Sequence, residues 1–283
     1  MRTALPAVGS SFQTVDGCGI SYTLRESYTL REAGGPNRVV LIHSLALDRS
    51  IWDSVAEKLA GKASVLTYDT RGHGRSGRVP GPYTMERFAQ DLAELMNHVG
   101  WSSAVIAGCS MGGNVAQAFG ALYPARTAGL GLIDTTAWYG AEAPVQWRQR
   151  AITAKANGLG SMVDFQTTRW FGDAFRAQRP DLVSAATRIF LANDPDCYAA
   201  TCEMLGDADL RHYLPAFRMP VGVVVGEEDY ATPVAAARQL HEAIPRSTLT
   251  ILKGRHLTPI ECPDEIADLL LKLLERAFHK EIP

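Results

Sequence analysis

Ala104-Val105-Ile106-Ala107-Gly108-Cys109-Ser110-Met111-Gly112-Gly113 is the stretch whose reading decides how this chain folds. Residues 104–107 form a short apolar run of the kind that fits a buried strand. After Ser110, the residues Val115, Ala118, Phe119 and Leu122 recur at helical spacing until Pro124 stops them. Between strand and helix lies G-x-S-x-G. The turn is sharp, and side chains at Gly108 and Gly112 would collide with neighbouring backbone, so only hydrogen fits there. Ser110 is thereby expected on a strained turn with its hydroxyl exposed and a helix N-terminus behind it, a candidate nucleophile.

Outward from this point, further apolar runs stand at 39–42, 65–68, 130–133, 221–225 and 249–252. They alternate with helical patterns, which predicts an α/β fold with a mostly parallel sheet flanked by helices. Phe88, Leu92, Leu95, Met96 and Val99 share one helical face behind an N-cap at Thr84. A last helix starts near Pro263 and carries Ile266, Leu269, Leu270, Leu273 and Leu274 in one stripe. The alternation breaks once. Residues 139–213 hold only helix-compatible segments, which predicts a core of 1–138 and 214–283 interrupted by a helical cap insertion. Such an insertion would sit over the carboxyl ends of the strands, where open α/β sheets bind ligands. Upstream, SYTLRE occurs twice in tandem, at 21–26 and 27–32. Six residues is too short a period for a solenoid, and an even insertion preserves which side chains of a strand face inward. A functionally neutral duplication in an early antiparallel strand or its loop is expected.

The 283 residues are 46% hydrophobic and 20% charged, which excludes a disordered chain. With 28 Lys+Arg against 30 Asp+Glu, the net charge of -2 offers no electrostatic basis for binding nucleic acid or an anionic membrane. No stretch approaches the roughly 18 apolar residues of a membrane span. Residues 1–19 lack the apolar centre of a secretory signal. Cys18, Cys109, Cys197, Cys202 and Cys262 are scattered and odd in number, arguing against a disulfide framework or a zinc site and for a cytoplasmic setting.

A serine is a weak nucleophile without a base held by a third group. Of seven histidines, His256 follows the run 249–252 and precedes the last helix, which brings it to the sheet edge where Ser110 lies. His98, His241 and His279 fall in amphipathic helices. The orienting acid should end a strand between serine and histidine. Asp229 does so after 221–225, and Asp134, directly after 130–133, is the rival. Glu227 and Glu228 read as exposed loop charges. An oxyanion hole requires two backbone N–H groups. One is expected from Met111 and the other from the loop after 39–42, at Leu45. His43 fits a structural hydrogen-bonding role in that loop, and the turn from Asp69 to Ser76 a buttress beneath it.

From about 15 to 274 the chain resembles the α/β-hydrolase superfamily, whose order Ser…Asp…His matches Ser110, Asp229 and His256. Within it the chain is most similar to 3-oxoadipate enol-lactonases. The resemblance is carried by His43-Ser44-Leu45-Ala46, Trp52-Asp53, Tyr68-Asp69-Thr70-Arg71-Gly72-His73-Gly74, Pro80-Gly81-Pro82-Tyr83-Thr84, Ser110-Met111-Gly112-Gly113, Arg169-Trp170-Phe171 and His256-Leu257. Enol-lactonases commonly carry Asn and Gly where this chain has His43 and Ala46, and Cys109 and Asn114 also depart from the usual pattern beside the elbow. The resemblance implies a serine hydrolase that opens a small carboxylate-bearing lactone through an acyl-enzyme, with no metal or organic cofactor. It implies a small-molecule substrate as partner and leaves a homo-oligomer open. A substrate carboxylate would need cationic contacts, for which the insertion supplies Trp147, Arg148, Arg150, Arg169 and Trp170, with Arg150 and Arg169 favoured. On the same triad, a carboxylesterase or a carbon–carbon bond hydrolase of ring-cleavage products is the alternative. A non-catalytic ligand receptor on this fold is the remote one. Dehalogenases and epoxide hydrolases resemble the chain but place Asp at the elbow.

Overall fold

The computed structural model describes residues 8–27 and 37–278. Eight strands form one sheet in the order β1-β2-β4-β3-β5-β6-β7-β8. They are β1 (Val8–Gln13), β2 (Gly19–Arg25), β3 (Arg38–Ile42), β4 (Ser64–Tyr68), β5 (Ala104–Cys109), β6 (Thr127–Ile133), β7 (Val221–Gly226) and β8 (Thr248–Leu252). The pairs β1–β2 and β2–β4 are antiparallel, and every pair from β4 to β8 is parallel. The six apolar runs of the sequence are β3 to β8. Strands β1 and β2 were not among them, because Ser10-Ser11 and Ser21-Tyr22-Thr23 break any continuous apolar run, although an early antiparallel strand was expected at the SYTLRE copies. The first SYTLRE copy lies largely in β2. The second, from residue 28 onward, lies outside the described residues, as does His279.

Around the sheet run α1 (Asp53–Leu59), α2 (Met85–His98), α3 (Met111–Leu122), α4 (Ala143–Asn157), α5 (Val163–Trp170), α6 (Asp173–Gln178), α7 (Pro180–Leu191), α8 (Pro195–Asp207), α9 (Val234–Ala243), α10 (Thr258–Glu261) and α11 (Pro263–Phe278). Helix α2 packs on α3, and α1 on α11. All residues of β4 and β5 are buried, as strands covered on both faces must be. The expected N-cap forms: the Thr84 hydroxyl accepts the Arg87 N–H at 3.1 Å. Between β6 and β7 the chain makes α4 to α8, two 3-10 turns (Leu159–Met162 and Arg211–Ala216) and, among the described residues, no strand beyond an isolated bridge from Trp138 to Asp209.

Sheet order places the site. The chain runs from β3 outward to β4 and then returns to lay β5 on the other side of β3. This reversal opens a crevice beyond the carboxyl ends of β3 and β5. Ile42 pairs with Gly108, so the loop at 43–47 and the turn at Ser110 leave the sheet side by side.

Candidate active site

Ser110 sits between β5 and α3 with φ 56° and ψ −117°, a left-handed backbone that costs an ordinary side chain energy. A Cβ at Gly108 would lie 2.0 Å from the Gly112 carbonyl oxygen, and one at Gly112 would lie 2.2 Å from that of Ile42. Both glycines are therefore imposed by close backbone approach, between strand and helix and between elbow and β3. The turn is tied from below. Ser110 N–H donates to Ile133 O at 2.9 Å, and Thr135 Oγ1–H donates to Ser110 O at 2.7 Å.

The Ser110 Oγ lies 2.9 Å from His256 Nε2, and His256 Nδ1 lies 2.8 Å from Asp229 Oδ2. With Nδ1–H donating to the carboxylate, Nε2 is left to accept the serine hydroxyl proton. Asp229 is itself held: its Oδ1 accepts N–H groups from Ala231 and Thr232, at 2.7 and 2.9 Å, and its Oδ2 accepts the Thr232 hydroxyl at 2.9 Å. Burial works to raise the Asp229 carboxyl, but His256 beside it and the Thr232 bonds outweigh that and hold it below the ordinary carboxylate range.

Asp134, the rival acid, has other work. Its Oδ1 accepts Gly226 N–H at 3.0 Å, and its Oδ2 accepts both the N–H and the hydroxyl of Thr258, at 2.9 and 2.7 Å. It knits the ends of β6 and β7 to α10, and burial together with the Asp229 charge pushes its carboxyl well up. Cys109, next to Ser110, is fully buried and its thiol is raised by burial and by Asp134, which keeps it from being a thiolate nucleophile.

Beside the elbow, the N–H groups of Leu45 and Met111 have no backbone or side-chain acceptor among the described residues. The Leu45 loop is braced on three sides. His43 Nδ1–H donates to Ser44 O at 2.8 Å, and His43 Nε2 accepts Thr70 N–H at 2.9 Å. Asn193 Nδ2–H donates to Ala46 O at 2.8 Å from beyond α7. Ala46 has φ 59°, the left-handed region where glycine is free of penalty. Burial lowers His43 to about 4, and burial with the neighbouring His43 lowers His73 to about 3, so both rings are neutral braces.

Ser110 and His256 face a cavity lined also by Ser44, Leu45, Tyr139, Trp147, Arg150, Gln166, Arg169 and Trp170. It narrows to about 20 Å³ at the serine. The outer cleft of about 620 Å³ shares the walls Tyr139, Trp147, Arg150 and Arg169. Arg150 Nε–H donates to Tyr198 OH at 2.6 Å, and its guanidinium lies 4.9 Å from the Trp147 ring centre and 5.4 Å from that of Phe165. Arg169 stacks over Phe165 at 5.7 Å. Neither arginine has a carboxylate partner among the described residues. Burial and then the Arg150 charge disfavour the Arg169 cation. Arg148, by contrast, points to solvent on α4 and leaves the candidate set.

Sequence reading passed over Gln166, 1% exposed, whose amide oxygen is buried without a partner. Its spacing to Arg169 and Trp170, i to i+3 and i+4, was the available signal that all three share a helix face. Tyr139 was passed over too; its hydroxyl donates to Asn114 Oδ1 at 2.9 Å, joining the segment after β6 to α3. Among the described residues no three His, Cys, Asp or Glu side chains cluster to hold a metal, and no helix is long and apolar enough to cross a membrane.

The family model for the alpha/beta hydrolase fold matches residues 37–263. The 3-oxoadipate enol-lactonase 2 of Acinetobacter baylyi is 32% identical over 245 residues, covering 86% of this chain and 91% of that one. The enol-lactonase structure from Burkholderia xenovorans superposes with a TM-score of 0.85 at 31% identity, covering 95% of this chain and 99% of that one. A thermophilic esterase from Thermogutta terrifontis gives 0.85 at 29% identity, covering 97% and 100%. Matched over most of its length in sequence and in structure, the chain belongs to the α/β-hydrolase fold family.

Proposed function

We propose that this hydrolase uses Ser110 to open a small lactone bearing a free carboxylate, through an acyl-enzyme. What supports this most is one cavity wall: two guanidinium groups without a carboxylate partner line the cleft that ends at a serine 2.9 Å from a histidine. Two neighbouring cations repel each other in a half-buried site, and an anionic ligand between them would relieve that repulsion. A carboxylate entering an apolar cleft loses water and needs such partners. The relatives named enol-lactonases support the same substrate class.

In this reading His256 Nε2 takes the proton as Ser110 Oγ attacks the lactone carbonyl carbon. The oxyanion accepts the N–H groups of Leu45 and Met111. Collapse breaks the ring C–O bond; the released oxygen takes the proton from His256 and, in an enol-lactone, leaves as a stabilised enol that becomes a ketone. Water deprotonated by His256 then attacks the acyl-enzyme, freeing Ser110 and a second carboxylate. Asp229 holds the imidazolium that forms in each half. Residues 139–213 act as the cap that supplies Arg150 and Arg169, and the chemistry draws on no metal or organic cofactor. Turnover of synthetic 3-oxoadipate enol-lactone, p-nitrophenyl esters and a vinylogous diketone tests the assignment. The lactone should give the highest kcat/KM. A higher value for the ester would make the protein a carboxylesterase, and one for the diketone a carbon–carbon bond hydrolase.

A further inference from the structure

The residue preceding His256 makes contacts that the acyl-transfer scheme leaves unused. Arg255 turns away from the cavity, its side chain 12% exposed, and reaches the end of α5. Its Nη1–H donates to Thr168 O at 2.8 Å and Phe171 O at 3.0 Å. Its Nη2 meets Glu228 at 3.0 Å, and its guanidinium lies 5.7 Å from the Tyr230 ring centre. Glu228 and Tyr230 are the neighbours of Asp229 on either side. One side chain thus touches the acid loop, the histidine loop and the helix that carries Gln166, Arg169 and Trp170.

The histidine loop and the end of α5 are also joined directly. Trp170 O accepts N–H groups from both His256 and Leu257, each at 3.1 Å. Glu261 accepts Gly172 N–H at 2.7 Å with one oxygen and Arg255 N–H with the other. The carboxylates around Arg255 contribute least, because the Asp173 and Glu228 side chains are 79% and 53% exposed and such pairs are screened by water. The carbonyls at the helix end matter more. They carry the negative end of the helix dipole and share Nη1, while Nη2 of the same rigid fork reaches Glu228, so one guanidinium spans the helix end and the acid loop where an ammonium offers a single point charge.

We propose that Arg255 is a positioning residue, which locks His256 and Asp229 to the α5 helix so that the base is aligned on Ser110 only while that helix is in place. The proposal rests on the roles given above to Ser110 and His256, and not on the lactone as substrate. It is tested by Arg255→Met and Arg255→Lys, with the rate of Ser110 labelling by a neutral fluorophosphonate and with kcat and KM on the lactone and a p-nitrophenyl ester. Arg255→Met should slow labelling and lower kcat about ten- to a hundredfold, the scale of a displaced catalytic group, on both substrates, with KM changing less than about threefold. Arg255→Lys should fall between, since it keeps the charge and one carbonyl bond. Labelling and kcat at wild-type values in Arg255→Met, or a loss confined to KM, would overturn the proposal. Where Arg255→Met does not fold, Arg255→Lys decides: slowed labelling supports the role, and a wild-type rate removes it. A wild-type protein that labels normally but does not open the lactone strikes the substrate reading and leaves this one standing.

Discussion

At the scale of single residues, two aspartates at adjacent strand ends have been given opposite tasks by their surroundings. Asp229 faces a histidine nitrogen at 2.8 Å, whereas Asp134 spends its oxygens on three donors of β7 and α10. Asp229→Asn should therefore lower kcat roughly 10⁴-fold by favouring the wrong imidazole tautomer, with little change in stability. Asp134→Asn keeps the left-handed backbone, which Asn tolerates, but presents an amide NH₂ to donors. It should cost about 1–3 kcal/mol in urea unfolding and leave kcat within a few-fold. Ser110→Ala should lose on the order of a millionfold in kcat and all fluorophosphonate labelling while folding normally. Turnover near wild type in that variant would end the serine assignment.

At the scale of elements, α4 and α5 lay two arginines over aromatic rings on one side of the cleft. The aromatic faces keep water off the cations, and the cations remain available to a ligand. Replacing Arg150 or Arg169 by Met keeps side-chain length and removes charge. A charge-assisted hydrogen bond is worth roughly 1.5–3 kcal/mol, so kcat/KM for a carboxylate-bearing lactone should fall about ten- to a hundredfold. Neutral p-nitrophenyl esters should change several-fold at most. An equal loss on both would mean that the helices had shifted, and no loss on either would make these arginines surface charges. Arg150 is the more damaging to truncate structurally, because its Nε also anchors Tyr198 of α8.

For the whole molecule, acid stability should report the buried braces under the loop at 43–47. His43 and His73 are held near 4 and 3, below the value of about 6.5 they regain on unfolding. Between those limits the unfolded chain binds more protons, so the stability they confer is complete above about pH 6.5 and is lost as pH falls toward 4. Each ring can contribute a slope of about 1.4 kcal/mol per pH unit in that window. Buried Asp134 and Asp69, raised by burial, act with the opposite sign, so the informative quantity is a difference. His43→Gln keeps an acceptor for Thr70 N–H and should flatten the fall in unfolding free energy between pH 6.5 and 5 relative to wild type. An unchanged slope would show that His43 is already protonated in the folded protein.

The glycines around Ser110 and the strand-like runs at 39–42 through 249–252 determined the fold class and the order of serine, acid and histidine by local sequence alone. Steric exclusion at a sharp turn and burial on both faces of a sheet write themselves into neighbouring residues. Strand β1 escaped that reading and β2 was anticipated only as an early antiparallel strand or loop at SYTLRE, since neither carries a continuous apolar run. What only the tertiary structure decided is which polar groups meet. Asp229 and Asp134 both end strands, and sequence could rank Asp229 first but not show their partners, which only the 92-residue reach from Asp134 to Gly226 and the 27-residue reach from Asp229 to His256 reveal. Gln166 and Arg255 look like ordinary polar residues of a helix and a loop. Their buried amide and forked guanidinium acquire meaning when the chain folds, because hydrogen bonds between segments far apart in sequence depend on three-dimensional approach and leave no periodic trace.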